Sequence, residues 1–299
     1  MTQNKKSSLK GFILVLLAAT CWATLPIFST IAYQAGSDPL TAAAWRSYIA
    51  AAIFLIWFLC DGTIRKFRRK HLLYFLGMGI VSIGGTFILY MKAVEMLGTS
   101  MAAILNYTMP AFVILLNRLL FREKVTRIKR LSLLATFVGA ALVVRAYDAG
   151  SLDGKWLGIL VGLASGLTYS LTTVFGSRLP EVDGRSRAGF LIMFSPAAFL
   201  AVRPPWTLAA PSGSMLFAYL GLAVVGSVLA YILYMKGLDT GLDSGIASIT
   251  ATVEPAIATV LSILVFGDPL EWPQAVGILI VLAGISLPQI AAMRTRRQA

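Results

Sequence analysis

Five stretches of this chain, residues 11–33, 101–117, 131–144, 156–177 and 204–235, carry no charged side chain. A helix rises 1.5 Å per residue, so about 20 apolar residues cross a hydrocarbon core ~30 Å thick. In lipid no water is at hand for backbone amides, and a helix pairs each of them within its own segment. Period-2 alternation, the pattern of a membrane β-barrel, is absent. Only 13% of the 299 residues are charged and 58% are hydrophobic, whereas a soluble domain has about a quarter charged. The pattern predicts an all-α integral membrane protein with ten transmembrane helices, at 11–33, 39–60, 72–94, 99–120, 129–147, 156–177, 188–203, 213–236, 244–266 and 272–292. The seventh is the shortest and contains Pro196.

The net charge of +13 does not mark a nucleic-acid binder, because the bases sit in short connections between apolar blocks. With ten spans, 21 of the 26 Lys and Arg fall on one side: Lys5, Lys6 and Lys10, the groups at 65–70, 118–130, 178–187 and 294–297, and Lys236. Lys92, Arg145, Lys155 and Arg203 fall on the other. The positive side stays in the cytoplasm, so both termini are expected there, which requires an even number of spans. The basic start and the run that follows resemble a secretory leader. That run continues to Tyr33, too long for an h-region, so it reads as a retained first helix.

Cys21 and Cys60 lie in apolar blocks without metal-ligand spacing and read as packing residues. His71 is the single histidine. No catalytic set, metal cluster or phosphate-binding loop is present, so neither an enzyme nor a cofactor is expected.

The chain repeats itself. Ile88-Leu89-Tyr90-Met91-Lys92 recurs as Ile232-Leu233-Tyr234-Met235-Lys236. Pro110 aligns with Pro255, Phe121 with Phe266, Glu123 with Asp268 and Gly139 with Gly284; upstream, Gly11 aligns with Gly158 and Trp22 with Tyr169. Five spans form a unit, residues 1–147 and 148–299, and an odd unit must insert the second copy upside down. Inverted repeats of this kind belong to secondary transporters, with the site near the midplane between the halves.

Ionisable and polar groups within spans are costly and are the candidates for function. Glu254 precedes Pro255, whose ring cannot donate to the carbonyl of Ala251. It is a coupling carboxylate, an ammonium contact or a structural carboxyl. Arg46 lies about 10 Å into the second span by helical rise; it could grip a carboxylate or snorkel to the interface. Asn106, Tyr107 and Pro110 share a stripe of the fourth span, and Ser82, Thr86 and Tyr90 one of the third. Ser227, Tyr231 and Tyr234 line the eighth, Thr250 shares a face with Glu254, and Trp22 and Tyr169 are repeat mates. These residues suit a central cavity for an amphipathic solute with an aromatic group. Ordinary helix packing explains any one of them equally well.

Asn106-Tyr107-Thr108-Met109-Pro110 and Leu120-Phe121-Arg122-Glu123-Lys124-Val125, with Val253-Glu254-Pro255 and Phe266-Gly267-Asp268-Pro269-Leu270, resemble the drug/metabolite transporter superfamily, in particular its EamA-type ten-helix exporters. Met109 where the second half has Glu254, and Arg122 where it has Gly267, depart from a symmetric pattern. Within that branch the chain looks most similar to bacterial aromatic amino-acid exporters. The resemblance implies export of amino acids and similar small metabolites across the bacterial inner membrane by alternating access, with membrane lipid around a chain able to act as a monomer. Transport of other metabolites, drugs or nucleotide sugars is the alternative, ahead of a membrane-embedded enzyme or a channel.

Overall fold

A computed structural model describes residues 2–148, 154–179 and 181–297, which form helices joined by short turns, with no strand among them. The side chains of Lys5, Lys6, Lys66, Arg69, Arg294, Arg296 and Arg297, and the junction at 149–153, lie outside the described residues. The helices are α1 (Thr2–Ala23), α2 (Leu25–Gln34), α3 (Pro39–Cys60), α4 (Leu72–Gly77), α5 (Gly85–Leu97), α6 (Thr99–Asn106), α7 (Met109–Phe121) and α8 (Arg127–Val143). There follow α9 (Trp156–Gly176), α10 (Gly184–Phe194), α11 (Pro196–Phe199), α12 (Gly213–Ala223), α13 (Ala230–Asp239), α14 (Ser244–Ala251), α15 (Glu254–Phe266) and α16 (Trp272–Arg297). π-helical stretches, Met78–Gly84 and Val224–Leu229, join α4 to α5 and α12 to α13.

Among the described residues, seven continuous segments are long and apolar enough to cross a membrane: Leu9–Gln34, Pro39–Cys60, Leu72–Leu97, Thr99–Phe121, Trp156–Gly176, Gly213–Asp239 and Ser244–Phe266. Three expected spans are shorter. The one placed at 129–147 is α8, 17 residues, which stops before Arg145 takes a left-handed φ of 56°. The one placed at 188–203 begins earlier, because the Asp183 carboxylate caps α10 by accepting from the Ser186 amide at 3.1 Å; it breaks at Pro196 into α10 and the four-residue α11. In the last, the apolar part is Trp272–Pro288.

Local chemistry sets the breaks that matter for function. Pro110 and Pro255 lack an N–H and stand in the first turn of α7 and α15, where that donor has no helical partner to lose. At each proline a helix therefore restarts three residues after the previous one ends. The far ends of these helices match too: Arg122 and Gly267 both close them in the left-handed region, at φ 56° and 72°.

Small residues let the helices close up. A Cβ on Gly139 would stand 2.8 Å from the Gly277 carbonyl, and one on Gly277 2.7 Å from the Gly139 carbonyl. α8 and α16 therefore cross backbone to backbone. Gly166 admits the broken α6–α7 junction, since its Cβ would meet Thr108 Oγ1 at 2.6 Å and the Leu105 carbonyl at 2.9 Å. Large apolar side chains such as Leu73, Leu264 and Trp272 remain exposed on the outside of the bundle, the distribution a lipid-facing surface requires.

At the end of the bundle bearing the 65–70 and 178–187 connections, ion pairs tie the first 148 residues to the rest. Lys70 and His71 meet Glu181 at 3.0 and 2.6 Å, Lys129 meets Asp243 at 2.6 Å, Arg185 meets Asp61 at 2.9 Å, and Arg178 pairs with Glu123.

Candidate substrate site

An aromatic cluster sits where α1, α9 and α13 meet. Gly237 admits α1, because its Cβ would stand 2.8 Å from Val15 Cγ2. The Trp22 ring then lies edge-on to Tyr169 and Tyr231, with centroids 6.2 and 5.5 Å away, and tilted against Tyr234 at 5.3 Å. The Tyr234 and Thr173 hydroxyls share a hydrogen bond of 2.7 Å. Trp22, Tyr231 and Tyr234 are almost wholly buried, while Tyr169 keeps accessible surface. Together they form a closed floor of rings.

Arg46 of α3 points inward rather than snorkelling. Its Nε donates to Ser227 Oγ at 2.7 Å and Nη2 to the Gly226 carbonyl at 2.8 Å. The guanidinium carbon lies 4.4 Å from the centroid of the Phe87 ring, a cation–π contact. Both acceptors belong to the π-helical stretch 224–229, and such stretches inside α-helices are frequent at functional sites. The glycine at 226 keeps that stretch open to its neighbours, for a Cβ there would strike Leu25 Cδ2 at 2.1 Å. A guanidinium has five N–H donors, and the remaining ones have no acceptor among the described residues. Arg46 is thus fixed in position with part of its donor edge unfilled.

Glu254 opens α15 at the proline break. The Tyr107 side chain, from the break between α6 and α7, reaches its carboxyl. Arg46, Tyr90, Tyr169 and Tyr231 lie within electrostatic range of the same carboxyl, and Tyr33 within range of Arg46 and Tyr90. Asn106 Oδ1 accepts from Ser165 Oγ at 3.2 Å, which binds the same break to α9. Arg46, Tyr90, Asn106, Tyr107, Tyr169 and Glu254 are enclosed by helices yet each retains accessible surface, as side chains lining a chamber do. Tyr33, at the end of α2, is 39% exposed and stands where that lining meets the outside.

Other expected cavity residues are elsewhere. Ser82 is fully buried, donating to the Thr168 carbonyl at 2.9 Å and sharing a hydrogen bond with Thr172. Thr86 Oγ1 bonds the Ser82 carbonyl and shares a 2.9 Å hydrogen bond with Thr168. Both fasten α5 and its π-helical stretch to α9. Thr250 is buried and donates to the Ile246 carbonyl of its own helix at 2.8 Å. Ser227 enters the site only as the acceptor that holds Arg46. Tyr33, Phe87 and Gly226 were missed by sequence. Tyr33 and Phe87 sit on the inward sides of helices whose orientation the repeat does not fix, and a carbonyl ligand such as Gly226 has no side-chain signature. Among the described residues no three His, Cys, Asp or Glu side chains gather as metal ligands.

The structure is thus a helical, multi-pass membrane protein with an arginine and a glutamate recessed among aromatic side chains. The chain belongs to the EamA-like transporter family, whose sequence profile matches residues 9–145 and again 156–288. An uncharacterized inner membrane transporter of Salmonella typhimurium, YicL, is 26% identical over 98% of this chain and 99% of its own length. An uncharacterized transporter of Clostridium kluyveri is 26% identical over 92% and 91%. The GDP-fucose transporter 1 of Dictyostelium discoideum is 26% identical over 58% of this chain and 48% of its own. A crystal structure 18% identical in sequence superposes with a TM-score of 0.79, covering 97% of this chain and 99% of that one; the likeness is one of fold.

Proposed function

We propose that this membrane transporter exports amino acids, aromatic ones among them, across the bacterial inner membrane by alternating access. The observation that carries the reading is the unfilled donor edge of Arg46 within electrostatic range of Glu254, inside a wall of tyrosines. An α-amino acid holds its carboxylate and ammonium on one carbon. Arg46 would take the carboxylate and Glu254 the ammonium, leaving an aromatic side chain to pack on Tyr169 and the Trp22 floor. In this reading ten spans form two inverted five-helix halves, 1–147 and 148–299, with both termini in the cytoplasm. The double match of one family profile and the paired proline breaks support it; α8, α10–α11 and α16 supply the shorter spans.

In this reading Tyr33, 39% exposed, marks the entrance to the site, while the Trp22–Tyr231–Tyr234 floor and the ion pairs beyond it close the basic end. That arrangement suits a conformer open away from the cytoplasm. A nucleotide-sugar substrate, suggested by the Dictyostelium relative, would bring a diphosphate to a site whose central cation is Arg46 alone among the described residues.

The test is flux into sealed liposomes carrying the purified protein, with labelled phenylalanine, tryptophan, threonine and a nucleotide sugar against protein-free vesicles. Saturable flux of the amino acids, without the sugar, is expected. Flux of the sugar alone overturns the substrate class.

A further inference from the structure

A second recess, about 860 Å3 in volume, opens among the 65–71 connection, the end of α9, the start of α10 and the end of α13. It lies apart from the Arg46–Glu254 site. Along α9, Ser177 is eight residues beyond Tyr169; along α13, Asp239 is eight beyond Tyr231. By helical rise each is about 12 Å.

The recess is lined by acids and bases together, but they are not equally free. Glu181 is taken by Lys70 and His71. Asp239 is taken by Arg187 and by the Gly184 amide at 2.6 Å. Arg65 and Arg68, both exposed, have no side-chain partner among the described residues. Arg187, only 2% exposed, binds the Gly176 carbonyl and Asp239, yet its Nε has no acceptor. A buried donor left unpaired in this way is one that water or a bound anion in the recess would satisfy. Asp183, the third acid of the lining, accepts from the Ser186 amide at 3.1 Å and the Ser186 hydroxyl at 2.7 Å, so each acid of the recess is engaged by a neighbour while the guanidiniums of Arg65 and Arg68 at its mouth are not.

We propose that this recess binds the phosphodiester group of an anionic phospholipid, with Arg65 and Arg68 at its mouth and Arg187 at its floor. A basic pocket among helix ends is where such headgroups dock. The surface beside it suits acyl chains: Leu72 and Leu73, which follow His71 directly, are 40% and 81% exposed. A free phosphate ester offers the same anion without the chains, so the exposed leucines favour the lipid. The proposal does not depend on which solute the central site carries.

The experiment compares the full chain with R65Q/R68Q, a pair of exposed positions whose side chains hold no other part of the fold. Native mass spectrometry counts retained phosphatidylglycerol and cardiolipin against phosphatidylcholine, and thermal melting follows the addition of each lipid or of inorganic phosphate. Wild type is expected to retain and be stabilised by the anionic lipids, and the double variant to lose affinity for them roughly thirtyfold, from the usual contribution of each basic side chain at a membrane surface. Stabilisation by inorganic phosphate equal to that by lipid overturns the lipid as occupant. Equal retention of anionic and zwitterionic lipids, or an anionic preference unchanged in R65Q/R68Q while melting stays at the wild-type temperature, overturns the site.

Discussion

Replacing Arg46 by lysine tests whether the central site grips a carboxylate. The guanidinium is held by Ser227 Oγ at 2.7 Å and the Gly226 carbonyl at 2.8 Å, with further N–H groups unfilled. Lysine keeps the charge but offers a compact ammonium in place of a planar fork. It cannot satisfy both protein acceptors and still meet a carboxylate with two parallel bonds. A hydrogen bond to a charged group is worth about 1.5–3 kcal/mol, so losing one to the substrate corresponds to a rise in KM of roughly ten- to a hundredfold. The assay is flux of phenylalanine and of 2-phenylethylamine, which lacks the carboxylate, into liposomes carrying Arg46→Lys or wild type. Phenylalanine is expected to lose that factor and phenylethylamine to change by less than about threefold. Equal losses for both would mean that Arg46 serves only to hold the stretch 224–229, and the carboxylate assignment would be refuted.

Glu254→Gln removes the carboxyl that Tyr107 and Arg46 face, and is expected to abolish discrimination in favour of phenylalanine over its des-amino analogue 3-phenylpropionate; unchanged discrimination removes the ammonium role. Gly139→Leu forces a side chain into a gap whose nearest atoms lie 2.8 Å from the Cβ. It should cost about 1–3 kcal/mol or more, seen as a lower melting temperature and weaker recovery in the membrane. Lys70 and His71 hold the Glu181 carboxyl below its ordinary value of 4.5. Its contribution is therefore present above that value and lost as pH falls through the lowered one. The melting difference between wild type and Glu181→Gln should be present at pH 7 and vanish in solution more acid than the lowered value; a difference persisting there contradicts the pairing.

What the sequence made legible follows the strength of each physical signal. Uncharged blocks placed the seven long segments within a few residues, because the energetics of burying a charge in lipid leaves little latitude. Pro110 and Pro255 marked the breaks for the same kind of reason: a missing donor has one structural consequence. The helix at 188–203 was misplaced because the Asp183 cap, not hydrophobicity, decides where it begins. Within the site, Glu254 and Arg46 stood out as ions among apolar residues. Ser82 and Tyr90 share one helical stripe, yet Ser82 faces Thr172 and Tyr90 the chamber. The π-helical stretch Met78–Gly84 between α4 and α5 changes the register that the stripe assumed. Nothing in the sequence alone announces such a stretch.

The same contrast separates the two proline breaks and leads to a last prediction. Met109 and Glu254 precede the two prolines, and a symmetric machine would tolerate exchanging them. The surroundings argue otherwise. Met109 is 5% exposed, packed with Val113 and Val174 and against Tyr169 and Phe175. Glu254 keeps accessible surface and has Tyr107 beside it. The residue that aligns with Tyr107 in the second half is Thr252, 3% exposed and bonded to the Ser248 carbonyl at 3.2 Å. A carboxylate at 109 would thus enter a pocket walled by Val113, Val174, Leu116 and Phe175, with Tyr169 the one phenol among these neighbours, at a cost of several kcal/mol for a poorly paired buried charge. Met109→Glu combined with Glu254→Met is expected to melt well below wild type and to leave phenylalanine flux at the level of Glu254→Met alone. Flux restored by the exchange would show that the acid works from either half, and that its place beside Tyr107 and Arg46 is not what gives the site its chemistry.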